Sequence, residues 1–155
     1  MKTRTLLPFL LSLFAASSIA IAADPHPVMG TWKLNDAKSK FAAGATKYVT
    51  AVYAPANDGM FKITLDGVDK DGKAVHDEWL GKFDGKDYPV KGDTFSDTRA
   101  YSRADVHAWH LIFKKGGKTV GTGTMVDSAD GKSRTTSTRS HGTPSFANVA
   151  VYDKQ

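Results

Sequence analysis

Gly30-Thr31-Trp32-Lys33-Leu34 is the stretch that decides how this chain folds. Trp32 and Leu34 fall on one side and Thr31 and Lys33 on the other, the two-residue period of a strand with one buried face. A strand that hides a tryptophan needs partners along both edges, and the rest of the sequence supplies them. Short runs of β-formers are expected at 47–54, 60–68, 73–83, 98–103, 107–114, 119–127, 133–139 and 146–152. Between them lie Asn57-Asp58-Gly59, Asp69-Lys70-Asp71-Gly72, Asp84-Gly85, Gly116-Gly117 and Asp130-Gly131. Asp-Gly and Gly-Gly provide the positive φ angles of tight hairpins, so strands adjacent in sequence should pair in space.

After Phe41 no stretch has the three-to-four-residue apolar period of a long helix, which argues against crossover helices and a parallel sheet. Asn35 to Phe41 reads as one helical turn capped by Asn35 or Asp36 and ended by Gly44. A meander of hairpins keeps two open edges unless it closes on itself. The expected fold is therefore all-β, an up-and-down antiparallel barrel of about eight to ten strands in which the last strand pairs with that of Trp32. A two-sheet sandwich is the alternative, because hairpin chemistry serves both.

The chain has 155 residues and a formal net charge of +5. Its start has the three parts of a secretory signal: Lys2 and Arg4, an apolar run from Leu6 to Phe14, and small residues ending Ala20-Ile21-Ala22. Cleavage after Ala22 is expected, leaving 23–155 as one domain; an uncleaved anchor is the alternative. Losing 22 residues that carry two bases and no acid lowers the net charge from +5 to +3. Lys and Arg are interleaved with Asp, without the clustered basic face that nucleic acid requires. Cysteine is absent, which excludes disulfides, thiolate metal sites, a cysteine nucleophile and a lipid-modified cysteine. A periplasmic or secreted monomer without a membrane anchor follows as the expectation.

Gly30-Thr31-Trp32 resembles the Gly-x-Trp opening of lipocalin-like (calycin) barrels, in which the tryptophan plugs one end. A wider set resembles small exported bacterial proteins of lipocalin-like type. It comprises Gly30-Thr31-Trp32-Lys33-Leu34-Asn35 with Lys38-Ser39-Lys40-Phe41, Phe83-Asp84-Gly85-Lys86-Asp87-Tyr88-Pro89-Val90, and Asn148-Val149-Ala150-Val151-Tyr152. The resemblance implies the barrel and the exported compartment, and it carries over no ligand and no catalytic residue.

Arg99, Tyr101 and Arg103 share one face of their strand. Pointing inward, they would suit an anionic head group, since guanidinium grips carboxylate with two prongs and phenol adds a donor. The pair resembles the carboxylate-holding Arg and Tyr of intracellular fatty-acid-binding barrels. The competing reading is a solvated outer face with Arg laid over Tyr. Asp77 interrupts an apolar face made by Val75, Trp79, Gly81 and Phe83, so it either orients a polar group or is tied to a neighbouring donor. Phe61, Ile63, Leu65, Val75, Trp79 and Phe83 are the expected apolar lining of a container.

The expected function is binding or carriage of a small apolar or amphipathic ligand, with an anionic one included in that range. The alternative is a filled barrel acting as a protein-interaction or inhibitory module, its outer loop 86–96 presenting Tyr88 and Phe95. No cofactor is expected. His107 and His110 stand three apart, on opposite faces of a strand, and no His-x-His pair exists to hold a metal. Asp66, Asp69 and Asp71 lack the spacing of a calcium loop. An enzymatic reading would need His76 to meet Asp77 or Glu78 in a pocket.

Overall fold

The computed structural model describes residues 28–155. The expected leader at 1–22 and its cleavage point lie outside the described residues.

Among the described residues ten antiparallel strands run in chain order. They are β1 (Gly30–Leu34), β2 (Lys47–Pro55), β3 (Phe61–Val68), β4 (Ala74–Gly81), β5 (Tyr88–Lys91), β6 (Thr98–Asp105), β7 (Ala108–Lys115), β8 (Lys118–Asp127), β9 (Ser133–Ser140) and β10 (Ala147–Lys154). Each pairs with its neighbours in sequence, and β10 returns to β1 through Trp32 with Lys154, Lys33 with Asp153 and Leu34 with Tyr152. The sheet is thus a closed up-and-down barrel, and the sandwich alternative falls because no free edge is left. The helical turn is a single 3-10 turn, Asp36–Lys38, capped by Asn35, whose Oδ1 accepts from Lys38 N at 3.2 Å.

Segment 86–96 is not simply an outer loop, because Tyr88–Lys91 forms β5 and bridges β4 to β6. With four residues, one of them proline, it pairs at only two positions on each side. So short a run between Asp87 and Gly92 has the composition of a loop. It becomes a strand because the barrel has to be closed at that seam.

Two glycines shape the interior. At Gly67, opposite a bulge between Tyr48 and Thr50, a Cβ would lie 2.1 Å from the carbonyl oxygen of Lys47, so only glycine lets the strands approach this closely. The bulge turns Tyr48 inward along with Ala51 and Tyr53, although strict alternation would put Tyr48 on the opposite face. At Gly92, φ is +85° and a Cβ would fall 1.9 Å from the carbonyl oxygen of His76, which fixes the entry into the next loop.

Large side chains fill the lower half of the barrel. Trp32, Trp109 and Met125 are fully buried there, and the Trp32 indole donates to Val28 O at 3.2 Å. On the β3 to β6 side, Phe61 packs tilted against Phe83 and Trp79 tilted against Tyr101, each pair at 4.7 Å, with Tyr88 edge-on to Trp79 at 5.8 Å. This aromatic layer is the floor on which the upper half stands.

Candidate functional site

Two buried charge clusters mark the interior, one near each end of an upper cavity. Alternation along β6 sends Arg99 and Tyr101 inward, where they are 3% and 2% exposed. Arg99 Nη2 reaches Asp77 Oδ2 at 2.6 Å and Asp93 Oδ2 at 2.7 Å. The Tyr48 hydroxyl donates to Asp77 Oδ2 at 2.6 Å. Asp93 also accepts from Phe95 N at 2.7 Å, from Ser96 N at 3.1 Å and from the Ser96 hydroxyl, so it holds loop 92–97 as well as the guanidinium. One face of Arg99 lies 5.6 Å from the Phe113 ring.

Burial acts against the charge on Arg99, but Tyr101, Asp93 and Tyr48 around it outweigh that and raise its pKa. Burial likewise pulls Asp93 upward, and the adjacent Arg99 with the Ser96 hydroxyl more than reverses this, leaving its carboxyl below the usual range. Tyr48 is pushed up by burial, with Arg99 opposing and the Asp77 bond adding to the rise. Tyr101 is pushed up to about 12 by burial against the pull of Arg99. These phenols are therefore neutral hydrogen-bonding groups at neutral pH.

An acid-stability experiment follows from Asp93. Its folded-state pKa is depressed, so the stability it contributes is complete above the ordinary carboxylate pKa of about 4 and disappears as the pH falls through the lower folded value. Urea unfolding of Asp93→Asn and the parent across this range is expected to show a gap that is full at neutral pH and closes in acid. A gap independent of pH would contradict the assignment.

At the closed end Arg134 of β9 is 1% exposed. Its Nε and Nη2 grip Asp127 Oδ1 and Oδ2 at 2.6 and 2.8 Å, and Nη2 also donates to Val28 O at 3.1 Å. Its planar group is stacked 3.8 Å from the Trp32 ring and 4.4 Å from that of Tyr53. Nη1 is buried without a hydrogen-bond partner among the described residues. The Tyr53 hydroxyl donates to the Met125 sulfur at 3.4 Å, and burial raises its pKa.

Between the two clusters lies a cavity of about 280 Å³. Ala51, Leu65, Leu111, Phe113 and Ala150 give it apolar walls, and Tyr152 and Arg134 stand deeper. Thr136 and Thr138 of β9 also border it. Residues 41–46, Phe95 and Phe146 frame the upper end. Asn148 Oδ1 accepts from Ala42 N at 2.9 Å, and Lys40 exchanges two backbone bonds of 2.7 Å with Val149, so the rim is tied to β10.

The sequence-expected residues divide between cavity and floor. Arg99, Tyr101 and Leu65 line the cavity. Phe61, Ile63, Trp79 and Phe83 are absent from this lining: Ile63 and Trp79 belong to the buried core, Phe83 packs against it, and half-buried Phe61 lies 4.7 Å from the Phe83 ring. Asp77 stands behind Arg99 as its partner. Arg103 is exposed near the lower end of β6, where its Nε donates to Asp105 O at 3.1 Å. Tyr48, Asp93, Asp127, Arg134, Thr136 and Thr138 are among the interior polar residues that the sequence did not announce.

Phe95 faces Phe113 at 5.7 Å and Phe146 at 5.4 Å, and Tyr88 packs on Trp79, so these two rings form no exposed docking cluster. His76 stands outside the barrel, with Nδ1 2.6 Å from Asp66 and Nε2 3.7 Å from Glu78. The Asp66 hydrogen bond raises its pKa, but alternation sends its ring away from Asp77 and the cavity. Among the described residues no group of three or more His, Asp and Glu side chains is placed to hold a metal ion.

No protein-family model matches the chain, and no curated protein matches it.

Proposed function

We propose that this protein binds and carries a small amphipathic molecule, in the periplasm or outside the cell, inside the upper half of a lipocalin-like barrel. The observation that carries the reading is the 280 Å³ cavity above the aromatic floor, whose lining combines apolar side chains with polar ones such as Thr136 and Thr138. A container of this kind rewards an apolar body by removing it from water, and a few placed polar groups orient it. The rim of residues 41–46, Phe95 and Phe146 offers the direction of entry. The leader-like start of the sequence supports the exported compartment.

N-phenyl-1-naphthylamine, an uncharged dye that brightens in apolar surroundings, tests the reading. Saturable fluorescence enhancement at one dye per protein is expected. Ala150→Phe places a ring in the cavity from a buried position on β10, and the enhancement should then fall by about tenfold or more while the cost in stability stays near 1–3 kcal/mol. Failure of the dye to bind the parent, or equal binding by a folded Ala150→Phe protein, would remove the cavity from the carrier proposal.

A further inference from the structure

We propose that the cavity selects an uncharged amphipathic molecule, one whose polar end is an amide, ester or alcohol, and rejects the corresponding carboxylate. This inference rests on the carrier reading and narrows it to a ligand class. The balance of interior charges, and what already faces each of them, sets this preference. Among the described residues two buried guanidiniums, Arg99 and Arg134, are matched by three buried carboxylates, Asp77, Asp93 and Asp127.

Each guanidinium already faces at least one buried carboxylate. Arg99 is shared by Asp77 and Asp93. A ligand carboxylate beside it would have to lie against those two or displace Asp93, which would also release Phe95 N and Ser96 N. Arg134 presents its Nε–Nη2 edge to Asp127 and is stacked against Trp32 and Tyr53, while its unpartnered Nη1 is sealed from solvent. A carboxylate entering this space loses its hydration and finds an interior with one more negative charge than positive. An uncharged end loses far less water and can hydrogen-bond to Thr136 and Thr138, whose hydroxyls both donate and accept. The two arginines thus organise the walls and do not serve as ligand-binding cations.

Decanoic acid, decanamide and decylamine share a chain and differ at the polar end, so they isolate the charge. Each is titrated at neutral pH, below micelle formation, against the protein loaded with N-phenyl-1-naphthylamine. Decanamide is expected to displace the dye at a concentration at least about tenfold lower than decanoate. Decanoate displacing as well as or better than decanamide overturns the inference and leaves the carrier reading intact, as does decylamine displacing best or displacement by none of the three. A dye that does not bind at all overturns the carrier reading and this inference with it.

Asp93→Asn separates charge recognition from simple water solubility. Asparagine keeps an oxygen for the loop amides and removes the surplus carboxylate. The preference for decanamide should then shrink to about threefold or less, with dye binding retained. A preference unchanged in a folded Asp93→Asn protein overturns the charge argument.

Discussion

Replacing Arg99 with methionine is expected to cost about 3–5 kcal/mol of folding free energy. Asp77 and Asp93 would then share a buried space without the cation that both contact, and Tyr48 alone would donate a side-chain hydrogen bond to Asp77. The loss compares with a total stability of about 5–15 kcal/mol for a domain, and it should lower Tm on the order of 10–20 °C. Methionine keeps much of the apolar stem, so the measured cost belongs mainly to the stranded charges. A companion variant, Arg99→Met with Asp77→Leu and Asp93→Asn, removes the charges together and should recover more than half of the loss. Urea denaturation of both proteins at neutral pH is the measurement. A loss below about 1 kcal/mol for Arg99→Met would mean that water reaches the cluster, and the interior charge count would lose its force.

What the sequence disclosed and what it hid follow from one property of strands. A two-residue period says which side chains share a face and leaves open which face is inside. Arg99 and Tyr101 were therefore legible as companions, whereas their turning inward depended on Asp77 and Asp93 being there to meet the guanidinium. Arg103 has the same parity and still reaches solvent, because it lies toward the lower end of β6 beside a register shift. Closure was legible in the Asp-Gly and Gly-Gly turns and in the need of the Trp32 strand for a second partner. Tyr48 was not, since a bulge opposite Gly67 moves it to the other face. Arg134, within Ser-Arg-Thr-Thr-Ser-Thr-Arg-Ser, has no apolar alternation to announce a buried face. Asp93 lies in a loop, where no periodicity exists to place it. Phe61, Trp79 and Phe83 were legible as interior residues, but only their mutual stacking shows that they fill the lower half.

Arg134→Met should cost about as much as Arg99→Met, near 3–5 kcal/mol, by a different combination of losses. Asp127 would be left buried without the two-pronged contact, and Val28 O would lose its bond from Nη2. The flat group stacked against Trp32 and Tyr53 would also be gone, leaving a flexible thioether against two rings. Arg134→Lys is the informative control because it restores the charge alone. An ammonium is a compact point charge that cannot grip both Asp127 oxygens in one plane while stacking on indole, so lysine should return less than half of the lost stability. Near-ultraviolet circular dichroism should report the same difference through Trp32, which is fully buried beneath the guanidinium. Full rescue by lysine would reduce the role of Arg134 to simple charge neutralisation. Partial rescue with an altered tryptophan signal would show that the closed end needs the planar shape of arginine as well as its charge. The cavity rests on that end, so a loosened floor should also widen the range of molecules that displace the dye, through a residue whose own charge is already met by Asp127.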